Sequence, residues 1–349
     1  MAKRIGILAG MEADGPFFPA ALIDRINRIG DGVTAELAQI DATPERFTSR
    51  YAVLVDRISH EVPFYRFHLK AAALAGVYVV NDPFWFSADD KFFGFSLAAK
   101  LGVPVPRTML LPQRDYVPSI DKNRSLRNLV YPLDWEAIAR YVGFPAILKP
   151  ADGGGGRNVT KVSSIEELLV AYNDSGTAAM TLQQFIDFDD YYRCICIGKT
   201  NIRVIHYDGR NRRYLADRDW PKSLEELLVR YARTLCQALG YDQNSVEFAI
   251  KDGVPYAIDF TNPAPDMYPH HIHADNYEWC LDTFSRFCID VAREERTLPI
   301  TYAWQQYLAH LSPIAASLKE AASAAPTAVA APPIAEQATT TRTHKGGVR

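Results

Sequence analysis

The sequence predicts an α/β protein with an α+β segment in its middle, and three features carry that expectation. Over the first eighty residues, short apolar strands alternate with helix-like runs, the pattern of a parallel sheet. At Pro145–Lys149 an apolar strand runs straight into a glycine-rich loop. Around Asp252-Gly253, two apolar runs face each other across a dipeptide that favours a tight hairpin.

Taken in order, Arg4–Ala9 reads as a buried strand, followed by a loop with Gly10 and Gly15 and an amphipathic helix over Phe17–Arg28. Tyr51–Val55 is a second strand, Pro63–Ala75 a helix and Val77–Val80 a third strand. No G-x-G-x-x-G follows the first strand, which argues against a dinucleotide site there. Asp89–Leu101 is a helix with Gly102 as its stop. Arg107–Leu111 is a strand, residues 112–134 are an irregular connection, and Trp135–Val142 is a short helix. Ser164-Ile165-Glu166-Glu167 and Ser223-Leu224-Glu225-Glu226 each read as a capping box opening a helix. Met180–Ile186 and Arg193–Gly198 are strands joined by an acidic turn, Val246–Ile250 and Tyr256–Phe260 form the hairpin, and Tyr277–Glu294 is a long helix. These elements divide the chain into an N-terminal α/β domain (1–83), a larger domain (84–312, with a lid at about 144–190) and a tail (313–349). In the tail Ala, Pro and Thr dominate, so it buries too little surface to offset its ordering entropy.

Composition narrows the function classes. A net charge of −3 gives no bulk attraction to nucleic acid or to anionic membranes. No apolar run approaches a membrane span of ~20 residues, and the N-terminus lacks a signal-like apolar region. The 5 cysteines have no C-x-x-C spacing, which predicts buried, reduced thiols in a cytoplasmic protein rather than a zinc or redox centre.

Three constellations carry chemistry. In the first, Lys149 ends a strand and Gly153, Gly154, Gly155 and Gly156 follow, so backbone amides can approach an anion beside a point charge. Alone, this equally describes a surface loop. In the second, Lys91 stands in the first turn of a helix that ends at Gly102-Val103-Pro104-Val105-Pro106. In the third, Glu247 on one strand faces Asp259 and Asn262 near the end of its hairpin partner, a set of oxygens suited to a hard cation.

The order of these motifs resembles the ATP-grasp superfamily of carboxylate–amine ligases. The run is Asp90-Lys91, Gly-Val-Pro-Val-Pro, Ile147-Leu148-Lys149-Pro150 with its glycines, Leu182-Gln183-Gln184-Phe185-Ile186, Arg193, Val246-Glu247-Phe248 and Ile258-Asp259-Phe260-Thr261-Asn262-Pro263. The layout is similar to D-alanine–D-alanine ligase, glutathione synthetase and the glutamate ligases that modify ribosomal protein tails, over roughly residues 3–295. The resemblance implies an ATP-grasp fold behind an N-terminal α/β domain, with ATP and Mg²⁺ (or Mn²⁺) as cofactors. It implies that Lys91 and Lys149 contact phosphates, that the four glycines belong to a mobile lid, and that Gln183, Gln184, Phe185 and Ile186 form the hinge that reads adenine. By the same resemblance Arg193 steadies the transferred phosphoryl group, and Glu247, Asp259 and Asn262 hold the metal.

Two departures stand out. The family usually has Glu-x-Asn at its last metal site, whereas Asp259 and Asn262 are three apart, a spacing a β-bulge would realign. The hinge usually carries an acidic residue where this chain has Gln184, which leaves Asp189 or Asp190 as candidate ribose contacts. Substrate candidates are Arg57 and His60 at the end of the second strand, where ligands gather in open α/β sheets, and Arg213. His270, His271 and His273 read as a solvent-facing or substrate-facing loop rather than a zinc site. The implied partners are small-molecule carboxylate and amine substrates, with a homodimer allowed. A regulatory ATP-binding protein without ligase activity, and a phosphotransferase acting on a hydroxyl, are the alternatives.

Overall fold

A computed structural model of the chain describes residues 2–13, 17–85, 90–152, 158–215, 220–299 and 302–306. The expected lid glycines Gly153, Gly154, Gly155 and Gly156, the helix-start residue Asp89 and the tail 313–349 lie outside the described residues. Met1–Leu298 forms one compact unit.

The first sheet comes from β1 (Lys3–Leu8), α1 (Phe18–Ile29), β2 (Val33–Leu37), β3 (Val53–Asp56), α2 (Pro63–Leu74) and β4 (Tyr78–Val80). Its order is β2-β1-β3-β4 and its pairs are all parallel. Phe18, Leu22 and Ile26 of α1 pack against Ile5, Ile7 and Val55, while Leu69 and Ala72 of α2 cover Leu54 and Val79 on the opposite face. Coverage on both faces is why β1 and β3 read as continuous apolar runs. β2, which the sequence reading passes over, is a five-residue edge strand with exposed Thr34 and Leu37.

Gly6 is needed for the close approach of β1 and its neighbours. A Cβ there would stand 2.8 Å from Leu54 Cδ2 and 3.0 Å from both Ala38 Cβ and Tyr51 Cδ1. Gly6→Val is therefore expected to destabilise the fold by about 1–3 kcal/mol, as overpacking does. Urea titration would read this as a lower midpoint with an unchanged slope, and an unmoved midpoint would mean that the sheet yields at β1.

The middle of the chain supplies α3 (Lys91–Lys100), β5 (Thr108–Leu111), the single turn α4 (Lys122–Ser125), α5 (Trp135–Val142), β6 (Ala146–Pro150), β7 (Thr160–Val162), α6 (Ile165–Asn173) and β8 (Met180–Gln184). Their strands form an antiparallel sheet in the order β5-β8-β6-β7. The capping box at Ser164 is present: its Oγ accepts from Glu167 N at 3.3 Å, and the Glu167 carboxylate accepts from Ser163 N at 2.7 Å. Ala146, Leu148 and Leu182 pack beneath α5 and α6. Strand alternation therefore turns Ile147, Lys149, Thr181 and Gln183 to the other face.

The last sheet is antiparallel, in the order β11-β10-β9-β12-β13. It is built from β9 (Asp190–Ile197), β10 (Asn201–Asp208), β11 (Arg213–Tyr214), α7 (Lys222–Leu239), β12 (Gln243–Lys251) and β13 (Val254–Asp259), and is followed by α8 (Pro269–Ile272) and α9 (Ala274–Arg293). The hairpin turns on Asp252 and Gly253, both at positive φ (50° and 76°), as expected. The expected cap at Ser223 is not used: α7 starts two residues earlier, with Pro221 at the N-cap position and no side-chain cap. One face of this sheet packs on α7 and the other on α9 and α1. All 5 cysteines are buried and free, as expected. Among the described residues no helix is long and apolar enough to cross a membrane.

Candidate active site

The free face of the middle sheet and one face of the last sheet meet in a cleft of about 510 Å³. Its walls include Lys149, Gln183, Gln184, Phe185, Ile186, Arg193, Glu247, Asp259 and Asn262. Residues up to 113 positions apart in sequence thus arrive together: Lys149, Gln183, Arg193 and Glu247 project from their strands, Asp259 stands at the end of β13, and Phe185, Ile186 and Asn262 lie just beyond strand ends.

Cross-strand register assembles the acidic part. Glu247 lies directly opposite Arg193 on one side and opposite Asp259 on the other. The second pairing depends on a β-bulge. Phe248 pairs with Ala257, so an unbroken ladder would bring Ile258 opposite Glu247; the extra residue brings Asp259 there instead. The bulge therefore lies before Asp259, and not between Asp259 and Asn262 as the spacing had suggested. Asn262 is fixed separately. Its backbone N donates to Asn244 Oδ1 at 2.8 Å and its Nδ2 donates to Ser245 O at 2.9 Å. With the amide nitrogen so engaged, the amide oxygen is the end left for the cleft.

Each carboxylate has a cationic partner. Arg193 Nη2 is 2.8 Å from Glu247 Oε1, and Lys91 Nζ is 3.2 Å from Asp259 Oδ1. Tyr191 donates a short hydrogen bond to the other oxygen of Glu247. Arg193 also donates to Tyr214 Oη at 3.2 Å and lies 3.9 Å from the centroid of the Tyr207 ring. Lys91 heads α3, whose first N–H bonds Ala151 O at 3.0 Å just beyond β6, so the two lysines are tied together. Lys149 donates to Gln183 Oε1 at 3.0 Å, and Gln183 in turn donates to Thr108 Oγ1 at 3.0 Å.

Charge here is out of balance. Three cations (Lys91, Lys149, Arg193) stand around two carboxylates (Glu247, Asp259), and a fourth, Arg212, also lines the cleft. Burial, reinforced by Lys91, pushes the Lys149 ammonium down to about 8, against the pull of Asp259 and Glu247. Burial raises Glu247, with Asp259 adding to the rise and Arg193 opposing it. Burial would raise Asp259 as well, but Lys91 and Lys149 outweigh it and hold this carboxyl below its ordinary range. The cleft is a hollow in which cationic side chains outnumber carboxylates.

No family model matches the chain. Over 160 residues it is 28% identical to a D-alanine–D-alanine ligase from Polynucleobacter asymbioticus, covering 40% of this chain and 47% of that protein. The chain thus spans about half the length of that curated relative. Solved structures align over far more. A RimK domain ATP-grasp protein from Sphaerobacter thermophilus superposes with a TM-score of 0.61 at 17% identity, over 82% of this chain and 98% of that one. The D-alanine–D-alanine ligase of Bacillus anthracis, in its complex with ATP, gives 0.58 at 16% identity, over 84% and 100%. The chain has the ATP-grasp fold.

Within this ATP-grasp frame, several sequence candidates stand apart from the cleft. Arg57 is buried and committed. Its Nε and Nη2 donate to the two carboxylate oxygens of Glu12 at 2.5 and 2.9 Å, and Nη2 also donates to Pro265 O at 3.0 Å. A side chain 2% exposed and held this way is a clamp between the first sheet and the loop after β13, not an open carboxylate receptor. His60 is exposed, 3.8 Å from Glu61, and Arg213 is exposed beside Asp208 at 3.5 Å. Neither lines the cleft. Asp189 is taken by Lys251 and by Asp252 N, both at 3.1 Å, and Asp190 by His206 at 2.6 Å and Tyr192 at 2.9 Å. Neither aspartate lines the cleft either. Gln184 spends its side-chain oxygen on Arg107. Among the described residues no group of three or more His, Cys, Asp or Glu is placed to hold a metal.

The cleft also contains Arg212, which the sequence offered with Arg210 and Arg213 as a candidate for a carboxylate or phosphate, and three residues that the sequence reading missed: Tyr191, Tyr207 and Gly209. Strand alternation from Arg193 would have found Tyr191. Tyr207 and Gly209 follow from β10 and its turn, a strand with no clean apolar alternation to signal it.

Proposed function

We propose that this chain is an ATP- and Mg²⁺-dependent ligase that joins a carboxylate to an amine. The observation that carries the reading is the cationic hollow itself: four cations, two carboxylates set opposite one another by a bulge, and one amide oxygen. A polyphosphate would complement these cations, and a hard cation suits the two carboxylates and the Asn262 oxygen. The residues therefore fit Mg²⁺ bound with a nucleotide. The ATP-grasp fold and the ligase relatives support the same conclusion.

When bound, Mg-ATP supplies the phosphoryl group that turns a carboxylate into an acyl phosphate. Lys91 and Lys149 would hold phosphate oxygens as point charges. Gln183 keeps Lys149 aimed into the cleft. The Gln183–Ile186 segment would face the base, and the Lys161 ammonium, 3.7 Å from the Phe185 ring centroid, would close that end. Arg193 is held by Glu247, Tyr207 and Tyr214 and would meet the transferred group with little reorganisation. Glu247, Asp259 and Asn262 would take the metal, Gly153–Gly156 would serve as the lid, and residues 144–190 would move with it. No protein nucleophile is needed; positioning and charge do the work. A cytoplasmic address belongs to the same reading.

The test uses hydroxylamine as a universal acceptor. The protein with ATP and Mg²⁺ is screened against L- and D-amino acids, hydroxy acids and short peptides. Carboxylate-dependent formation of hydroxamate together with ADP is expected for at least one class. ADP release without hydroxamate would favour a phosphotransferase, and no ADP release with any of them would leave a binding protein.

Lys149→Ala should weaken ATP binding by about 1.5–3 kcal/mol, the scale of a lost charge-assisted contact. The pH dependence has a definite sign. The free lysine titrates near 8, and a bound phosphate raises that value. Binding near pH 8 should therefore take up a proton, and affinity should fall as the pH rises further. Calorimetry in buffers of different ionisation heat measures the uptake; a variant that keeps both affinity and uptake would clear Lys149 of this role.

A further inference from the structure

The histidines after β13 take on meaning from what surrounds them. Past Asn262 the chain is pinned at two points: Gln243 Nε2 donates to Pro263 O at 2.5 Å, and Arg57 donates to Pro265 O. The next residue, Asp266, accepts from Tyr268 N at 3.1 Å through one oxygen and meets His271 Nδ1 at 2.7 Å through the other. A carboxylate on Nδ1 fixes the tautomer and leaves Nε2 as the proton acceptor. Among the described residues nothing engages Nε2, and 56% of the His271 side chain is exposed.

Neither Asp266 nor His271 is among the cleft's lining residues, but the pair is joined to the cleft through β11. α8, which carries His271, packs against β11, and β11 supplies the Tyr214 hydroxyl that holds Arg193. The Asp266 charge is felt by Tyr214 and by Tyr207, which lines the cleft. Tyr268 flanks the imidazole with ring centroids 5.3 Å apart and is itself braced edge-on by Phe17 at 4.8 Å. A braced imidazole with one nitrogen oriented and the other open is out of place on an idle surface loop.

We infer that the Asp266–His271 pair takes the proton from the amine that attacks the acyl phosphate, an inference that rests on the ligase reading above. At neutral pH most amines are ammonium ions with no free electron pair. The ammonium gives one proton to His271 Nε2, and the freed pair attacks the acyl carbon. The C–N bond forms as the C–O bond to phosphate breaks. The second nitrogen proton leaves with the phosphate, and the imidazolium returns its proton to solvent. His271 touches the amine in this step, whereas Asp266 acts through His271 and is a positioning residue.

The test is a product ratio. With the carboxylate identified by the hydroxylamine screen, the wild type is supplied with ammonia or the twenty amino acids as acceptors, and amide is measured against hydroxamate. Hydroxylamine is already unprotonated at pH 7, so it needs no base. In His271→Gln the amide-to-hydroxamate ratio should fall about 100-fold, the lower end of what a positioned general base contributes. Asp266→Asn should lower the ratio less, and added imidazole should restore part of it in His271→Gly. A ratio unchanged in both His271→Gln and Asp266→Asn overturns the assignment, since a merely structural loss would depress both products together. So does a wild type that makes hydroxamate but transfers to no amine. A wild type that makes no hydroxamate at all is a failure of the ligase reading, visible before any variant is made.

Discussion

Asp259→Asn should lower hydroxamate formation by about 10²–10³-fold while leaving the fold intact, the scale on which loss of one preorganised charge is felt in a closed site. The substitution keeps size and shape but removes the charge that faces Lys91 at 3.2 Å. A neutral amide is also a poorer ligand for a hard cation. Glu247→Gln should act in the same direction, and there the Arg193 guanidinium loses its 2.8 Å partner as well. The two effects separate in binding. Without metal, ATP should bind either variant at least as well as the wild type, because a charge that repels the triphosphate has gone. With metal, the advantage should reverse. Stopped assays over a range of Mg²⁺ would show this as a raised metal requirement. Near-normal rates at limiting Mg²⁺ would exclude the substituted residue as a ligand.

Glu12→Ala should be among the most destabilising single changes around the first sheet. It strips the bidentate partner from Arg57, whose side chain is 2% exposed, and leaves a buried guanidinium with only Pro265 O as a described partner. Breaking a buried pair from one side costs about 3–5 kcal/mol. Replacing both residues, as in Glu12→Leu with Arg57→Met, should recover much of that loss, because the desolvation of two charges is relieved together. Thermal melting of the single and double variants would give the coupling. If the single change costs under about 1 kcal/mol, within the range of an exposed pair, the clamp is open to water in solution.

How much could be read in the sequence depended on whether a feature is local. Residues 145–149 announced a strand by composition, Asp252-Gly253 announced a hairpin by backbone preference, and Ser164 announced a helix start by its cap. All three are properties of a few neighbouring residues. The gathering of Lys149, Arg193, Glu247 and Asp259 was accessible only through the order of motifs, since nothing local links a lysine on β6 to an arginine on β9. Arg57 was misread for the complementary reason. An arginine at a strand end does not reveal whether it faces solvent or Glu12, 45 residues earlier. The bulge was expected on the wrong side of Asp259, because spacing tells how many residues lie between two ligands and not which one leaves the ladder. β10 stayed hidden because Arg203 and His206 interrupt its apolar pattern; each has a partner distant in sequence, Asn276 and Asp190.

The five thiols act as a built-in clock. Cys194, Cys196 and Cys236 belong to the core beneath α7, and Cys280 and Cys288 to the core beneath α9. All are shielded from water, so an alkylating reagent reaches them only when the surrounding core opens. The modification rate of each thiol therefore counts openings of its own neighbourhood. If the first three and the last two are labelled at one common rate, the two cores open as a single unit. If the rates part, whichever core supplies the faster group loosens first, and mass spectrometry of partially labelled protein would identify it without any mutation.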